Sequence, residues 1–277
     1  MAEAAIVEAA GLALALPDRA AKPRFGAAPT VDILNGIDLR IAPGDSLGIV
    51  GESGSGKTSL GRTLLRLYRP TGGRLWFEGR EIGALDEPAI RPLRARMQMI
   101  FQDPLSALNP RHRIGTIVAQ PLRAFGRVDG RREGQLRAAA LLERVGLPAD
   151  LIGRYPHQIS GGERQRVGIA RAIALDPAFV VADEIVSGLD VSTQAQILTL
   201  LRDLKRDLGL ALAFISHDLS VVRVLCDRVV VLLRGEVVET GDCEAVFADP
   251  RHAHTRALID AIPLPVVEPG WLGSAEN

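Results

Sequence analysis

Cysteine is nearly missing from this chain of 277 residues, with Cys226 and Cys243 the only two. Two thiols are too few for a disulfide framework, a four-cysteine zinc site or an iron–sulfur cluster, so they read as buried thiols in a reducing compartment. Net charge is missing as well: Lys and Arg number 33, and Asp and Glu number 33. That balance removes the electrostatic case for a protein that lives on nucleic acid or on an anionic membrane surface, and no nucleic-acid partner is expected. Long apolar runs are absent too. The opening MAEAAIVEAAGLALAL lacks a basic leader and is interrupted by Glu3 and Glu8, and no window reaches the roughly 18 uncharged apolar residues of a membrane span. The expected location is cytoplasmic, with any membrane role supplied through a partner.

What the chain does have is 47% hydrophobic residues, enough to bury a full core in one large domain or two closely joined ones. Short β-rich runs at 46–51, 178–183, 211–216 and 228–233 are almost wholly apolar, as strands covered on both faces should be. Amphipathic stretches over Lys57–Tyr68, Ser192–Asp207 and Leu219–Cys226 separate most of them. Together they predict a parallel, doubly wound α/β core. From about Asp103 to Arg171 the pattern is helical without a convincing strand. Near the front, AAIVEAAGLALAL and VDILNGIDLRIAPGDS predict a short antiparallel β layer. Near the back, one more helix precedes prolines that forbid regular structure.

The stretch GESGSGKTSL (51–60) follows a buried strand and opens a helix, the context in which a Gly-x-x-x-x-Gly-Lys-Thr pattern is a nucleotide phosphate loop. Gly51, Gly54 and Gly56 let backbone N–H groups turn inward on phosphate, and Glu52, Ser53, Ser55 and Ser59 complete the expected contact set. Lys57 reaches the β- and γ-oxygens, and the Thr58 hydroxyl ligates Mg²⁺. FVVADE ends an apolar run in two carboxylates at a strand's C-terminal edge, where α/β proteins place their ligands. Asp183 is expected to hold Mg²⁺ and Glu184 to polarise the attacking water, since successive strand side chains point in opposite directions.

In ISGGERQRVGIARAIA, Ser160 and Glu163 have the spacing of a capping box that opens a helix. The box does not explain Gly161 and Gly162. Glycine costs about 1 kcal/mol in a helix against alanine, and two in the first turn suggest close approach by a ligand such as phosphate.

With these stretches in view, the chain resembles the ATP-binding cassette (ABC) family. The phosphate loop, Gln102 ending the core strand MQMIFQ, the Ser160-Gly161-Gly162 signature, Asp183-Glu184, SGLD ending at Asp190 and His217 in FISHD stand in the family's order over about residues 5–245. The resemblance implies a P-loop α/β fold with a parallel sheet, an N-terminal antiparallel β layer and an inserted helical subdomain. It implies ATP and Mg²⁺ as cofactors, and a head-to-tail dimer in which ATP lies between one subunit's phosphate loop and the other's Ser160–Gly162. Gln102, Asp190 and His217 would complete the site, with Gln102 joining Thr58 and Asp183 at the metal and Glu184, His217, Gln102 and Lys57 as the catalytic set. Each of the three has an ordinary alternative: a solvated glutamine, a helix cap at Asp190, a helix-start histidine. The implied division is 1–102 with 172–245 as the ATP-binding core, 103–171 as the helical subdomain and 246–277 as a C-terminal extension.

FQDPLSALNPRHRIGTI, YPHQISGG, LDVSTQAQIL and ADPRHAHTRALIDAIP resemble the ATPase subunits of bacterial oligopeptide, dipeptide and nickel importers. That resemblance implies a second ATPase subunit, transmembrane permease subunits and, indirectly, a substrate-binding protein as partners, at the cytoplasmic face of the membrane, with small peptides as cargo and nickel or another solute as the alternative. Departures are Ile159, Glu163, Ile185 and His254, none of which removes a catalytic group. The family's adenine-stacking aromatic falls at Leu16, with Phe25 as a substitute. A soluble ABC protein acting on ribosomes or DNA would carry a second cassette, a coiled coil or a zinc module, which this sequence lacks. A GTPase is disfavoured because Asn35, Asn109 and Asn277 are the only asparagines and none forms an Asn-Lys-x-Asp element.

Overall fold

A computed structural model describes residues 5–18 and 29–261. In chain order its elements begin with β1 (Val7–Pro17), β2 (Thr30–Ile41), β3 (Ser46–Val50), α1 (Lys57–Leu64), β4 (Gly72–Phe77), β5 (Arg80–Glu81), α2 (Glu87–Ile90) and β6 (Met97–Ile100). Four helices follow without a strand: α3 (Pro104–Ala107), α4 (Ile114–Ala124), α5 (Arg131–Arg144) and α6 (Gly161–Ile173). The chain then alternates through β7 (Phe179–Asp183), α7 (Val191–Leu208), β8 (Ala211–Ile215), α8 (Leu219–Leu225), β9 (Arg228–Leu233), β10 (Glu236–Asp242), α9 (Cys243–Ala248) and α10 (Ala253–Asp260).

Two sheets result. The antiparallel one has the order β2-β1-β4-β5, and the larger one has the order β10-β9-β3-β8-β7-β6. The larger is parallel except for β10, which pairs antiparallel with β9 at one edge. Every residue of β3, β7 and β8 is buried, which is why these strands read as uninterrupted apolar runs. Alternate side chains feed two cores. Ala211, Ala213 and Ile215 join Leu60 and Leu64 of α1 and the antiparallel layer, whereas Leu212 and Phe214 join the cluster beneath α4 to α8. The phosphate-loop helix is thus clamped between the sheets, and the loop before it sits at the parallel strands' C-terminal edge.

Several expectations are adjusted. α1 stops at Leu64 rather than Tyr68, because Arg66 takes a left-handed φ of 54° and turns its guanidinium onto the carbonyls of Ile82 and Leu85. β6 ends at Ile100, so Gln102 stands two residues beyond the strand instead of at its end. The short strands β4, β5 and β10 had no sequence expectation of their own. Phe25 and the late prolines Pro263, Pro265 and Pro269 lie outside the described residues. Both cysteines are buried and free, and burial pushes the Cys243 thiol up to about 11. Among the described residues, no helix is long and apolar enough to cross a membrane.

Candidate functional site

The loop between β3 and α1 is closely braced. A Cβ at Gly51 would lie 2.2 Å from the Leu232 carbonyl oxygen, and at Gly56, where φ is 104°, one would lie 3.0 Å from that of Ile33. Only glycine fits both positions. The turn after β9 adds a support that sequence reasoning missed: Gly235 N donates to the Ser55 carbonyl at 3.0 Å. Its one sequence signal was the Arg-Gly turn that closes the apolar run of β9. Within the loop, Lys57 is 5% exposed, and its Nζ donates to the carbonyls of Gly51 and Glu52, each at 2.7 Å. Burial pulls its pKa below the usual lysine value, opposed by the charges of Glu184, Asp183 and Glu52. The Ser55 hydroxyl is buried without a hydrogen-bond partner among the described residues. Glu52, Ser53 and Gly54 are exposed at the rim, and Ser59 is half-buried. A desolvated ammonium and an orphan hydroxyl beside a helix N-terminus make a donor set suited to a polyphosphate.

Three other strand ends converge on this loop. Thr58 Oγ1 donates to Asp183 Oδ1 at 2.9 Å. Burial raises the Asp183 pKa, with the Thr58 hydrogen bond opposing. A hydroxyl and a buried carboxylate next to a phosphate site fit a hard divalent cation such as Mg²⁺, which takes one or two protein oxygens and completes its shell with phosphate and water. Consistent with so sparse a set, no cluster of three His, Cys, Asp or Glu suited to a metal occurs among the described residues. Glu184 follows immediately at a left-handed φ of 46°, uncommon for a residue with a side chain, and its N–H donates to the Ile215 carbonyl at 2.9 Å. The turn sends the second carboxylate away from the first. Glu184 accepts from Gln102 Nε2 at 2.9 Å, and its other oxygen lies 3.6 Å from His217 Nδ1. The structure thereby brings together Lys57, Thr58, Gln102, Asp183, Glu184 and His217.

Ser160, Gly161, Gly162 and Asp190 are gathered elsewhere. They line a cleft of about 370 Å³ between α6 and the start of α7, and no residue of the phosphate loop lines it. The capping box is present: Ser160 Oγ accepts from Glu163 N at 3.3 Å, and Glu163 Oε2 accepts from Ser160 N at 2.7 Å. Asp190 caps α7, accepting from Thr193 N at 2.9 Å and from the hydroxyls of Ser192 and Thr193, which hold its carboxyl far below the usual range. The two glycines prove unlike. A Cβ at Gly162 would come 2.7 Å from Thr193 Cγ2, which gives packing a reason for glycine there, while at Gly161 only Arg164 Nη2, at 4.0 Å, comes near. Packing therefore accounts for glycine at the second position and not at the first. Leu16 is half-buried in β1 opposite Val31.

Comparison with known proteins adds an independent line. The ABC transporter family model matches residues 34–187. A Brucella ovis protein named, provisionally, as a peptide import ATP-binding protein is 51% identical over 236 residues, covering 85% of this chain and 74% of its own length. The oligopeptide transport ATP-binding protein OppF of Escherichia coli is 46% identical, covering 85% and 71%. Among solved structures, the ATP-binding cassette MJ0796, a dimer in a post-hydrolysis state bound to ADP and phosphate, superposes with a TM-score of 0.75 at 28% identity, covering 86% of this chain and 98% of its own. With the phosphate loop, the paired carboxylates and the separate serine–glycine cleft in this arrangement, and with a family match over more than half its length, the chain belongs to the ABC transporter family and is one of its ATPases.

Proposed function

We propose that this chain is the ATP-hydrolysing subunit of an importer of small peptides. The observation that carries the mechanism is the division of the site: phosphate loop, metal ligands and Glu184 on one surface, Ser160, Gly161, Gly162 and Asp190 on another. A head-to-tail pair of cassettes joins the two halves around ATP. Lys57 and the loop N–H groups would hold the phosphates, and Thr58 and Asp183 would hold Mg²⁺, which would neutralise phosphate charge. Glu184 takes the proton of the attacking water, oriented by Gln102 and His217. Catalysis is then mainly positioning and charge stabilisation, since phosphoryl transfer leaves little covalent work for the protein.

The helices from 103 to 171 act as a subdomain whose junction with the core receives the permease. A groove of about 600 Å³ opens there, lined among others by Leu65, Leu67, Phe101, Pro121 and Arg171. Leu67 and Phe101 are unusually exposed for large apolar side chains, at 44% and 38%, and such residues mark interaction sites. Phe101 adjoins Gln102, so a permease segment in this groove senses whether the γ-phosphate is present. The names of the two relatives favour peptide as cargo, and work through permease subunits would hold the chain at the cytoplasmic face of the membrane. The test is purification of the complex from its native host, followed by ATPase and uptake assays with labelled peptides and with nickel. Co-purifying permease subunits and peptide-stimulated turnover support the reading, whereas nickel-stimulated turnover or no permease overturns it.

A further inference from the structure

Arg171 has no use in the site described so far. It lies in the last turn of α6, ten residues after Gly161, or about 15 Å along the helix from the signature. Its guanidinium is largely desolvated, enough to lower its pKa, yet no carboxylate pairs with it among the described residues. A charge taken out of water without a partner is costly, so its remaining contacts matter. One Nη donates to the Ala107 carbonyl at 2.5 Å. The guanidinium carbon lies 5.7 Å from the centroid of the Phe101 ring, within cation–π range.

Those two partners bracket the Gln102 loop. Phe101 precedes Gln102 directly, Ala107 ends α3 five residues later, and Gln102 itself donates to Glu184. A single side chain therefore grips both ends of the segment that presents Gln102, and that side chain belongs to the helix whose first turn is Ser160–Gly162. We propose that Arg171 is a positioning residue for hydrolysis, tying the Gln102 loop to the signature helix so that the two move as one body. This rests on the catalytic reading of Gln102 and goes beyond it by naming what holds that glutamine in place. Lysine is no equivalent substitute: it can reach one acceptor, but it lacks the planar fork that bonds a carbonyl while lying over a ring.

The test is a double-mutant cycle on the full chain, with kcat and KM for Mg-ATP measured for wild type, Gln102→Ala, Arg171→Lys and the double variant. Arg171→Lys is expected to lower kcat by roughly 10- to 100-fold, the loss a misplaced catalytic group produces, with KM nearly unchanged because the phosphate loop is untouched. In the Gln102→Ala background, Arg171→Lys should cost nothing further. Phe101→Leu keeps the charge and removes only the ring, so it tests the same idea if Arg171→Lys fails to fold. It should lower kcat in the same direction and be equally silent without Gln102. Losses that multiply, or a rise in KM matching the fall in kcat, overturn the proposal and leave Gln102 in its role. An inert Gln102→Ala overturns both.

Discussion

Gln102 Nε2 donates to Glu184 Oε2 across 2.9 Å, although the residues stand 82 positions apart. The bond fixes the carboxylate's orientation from one side while His217 lies 3.6 Å away on the other. A carboxylate held this way, beside a phosphate loop, is placed to accept a proton from water. Glu184→Gln should bind Mg-ATP and accumulate as an ATP-dependent dimer, with hydrolysis lowered by roughly 10² to 10⁴, the usual range for a general base. Near-normal turnover in the purified variant would remove Glu184 from that role.

Asp183 carries the opposite risk, a carboxylate whose burial disfavours its charged form in the folded protein. Its pKa is raised chiefly by burial, so the folded state favours the neutral form more than the unfolded chain does. The sign follows from linkage: this group favours folding below the ordinary aspartate pKa of about 3.9, and that contribution is lost as pH rises through the raised value. Asp183→Asn keeps an acceptor for Thr58 Oγ1 and removes the buried charge. It should melt higher than wild type at pH 7 without nucleotide, with the gap shrinking as pH falls through the raised value and gone below pH of about 4. The same variant should lose Mg²⁺-dependent ATP binding. A gap independent of pH, or widest in acid, would contradict the electrostatic account.

Arg111 lies exposed beyond α3 in the segment that follows Gln102, and its backbone N–H donates to Asn109 Oδ1 at 3.0 Å. None of the side-chain contacts among the described residues engages its guanidinium, which leaves an exposed cation on the segment that leads from Gln102 into the helices. Arg111→Glu is expected to abolish transport while ATPase of the isolated subunit stays within about twofold, the modest change typical of a surface substitution away from the chemistry. Equal loss of ATPase in the isolated subunit would place the defect in folding.

Why some of this was legible in the sequence and some was not has physical causes. β3, β7 and β8 are buried on both faces, and their uninterrupted apolar runs announced them. β10 has one exposed face and edge pairing, and β5 is two residues long, so neither leaves a strong pattern. Ser160 and Glu163 gave the α6 start through their own spacing. Gly162 has a packing reason that was not legible, because the Thr193 methyl that crowds it belongs to another helix and no local pattern reports it. Lys57, Thr58 and Asp183 could each be named from motifs, but the support of Gly235 for the phosphate loop joins residues 180 apart. Such long-range contacts require the folded chain.

The separation of Ser160 from Lys57 leads to the test on which the mechanism depends. The serine lines a cleft with Asp190 that no phosphate-loop residue enters, so within one chain the signature has no phosphate to bind. If ATP is cleaved only between one subunit's Lys57 and the other's Ser160, Lys57→Ala and Ser160→Arg homodimers are both inactive, since every site carries a lesion. In the mixed dimer one site collects both lesions and the other none, and activity returns in part provided one intact site turns over. Ser160→Arg removes the hydroxyl that accepts from Glu163 N and fills the space in front of Gly161. It also removes an N-cap worth about 1 kcal/mol, so its melting temperature must be measured alongside. Titrating one variant into the other at fixed total protein, where wild type alone is active, should give a bell-shaped ATPase curve peaking near equal amounts. A flat line at background, with both variants folded and mixed dimers demonstrated, would exclude either the shared site or turnover by one site alone. Where a bell appears, Glu184→Gln on the Lys57→Ala chain tests which half supplies the intact site. The added lesion falls in the phosphate-loop half already disabled, so the bell survives if the intact site is built from the other chain's Lys57 and Glu184.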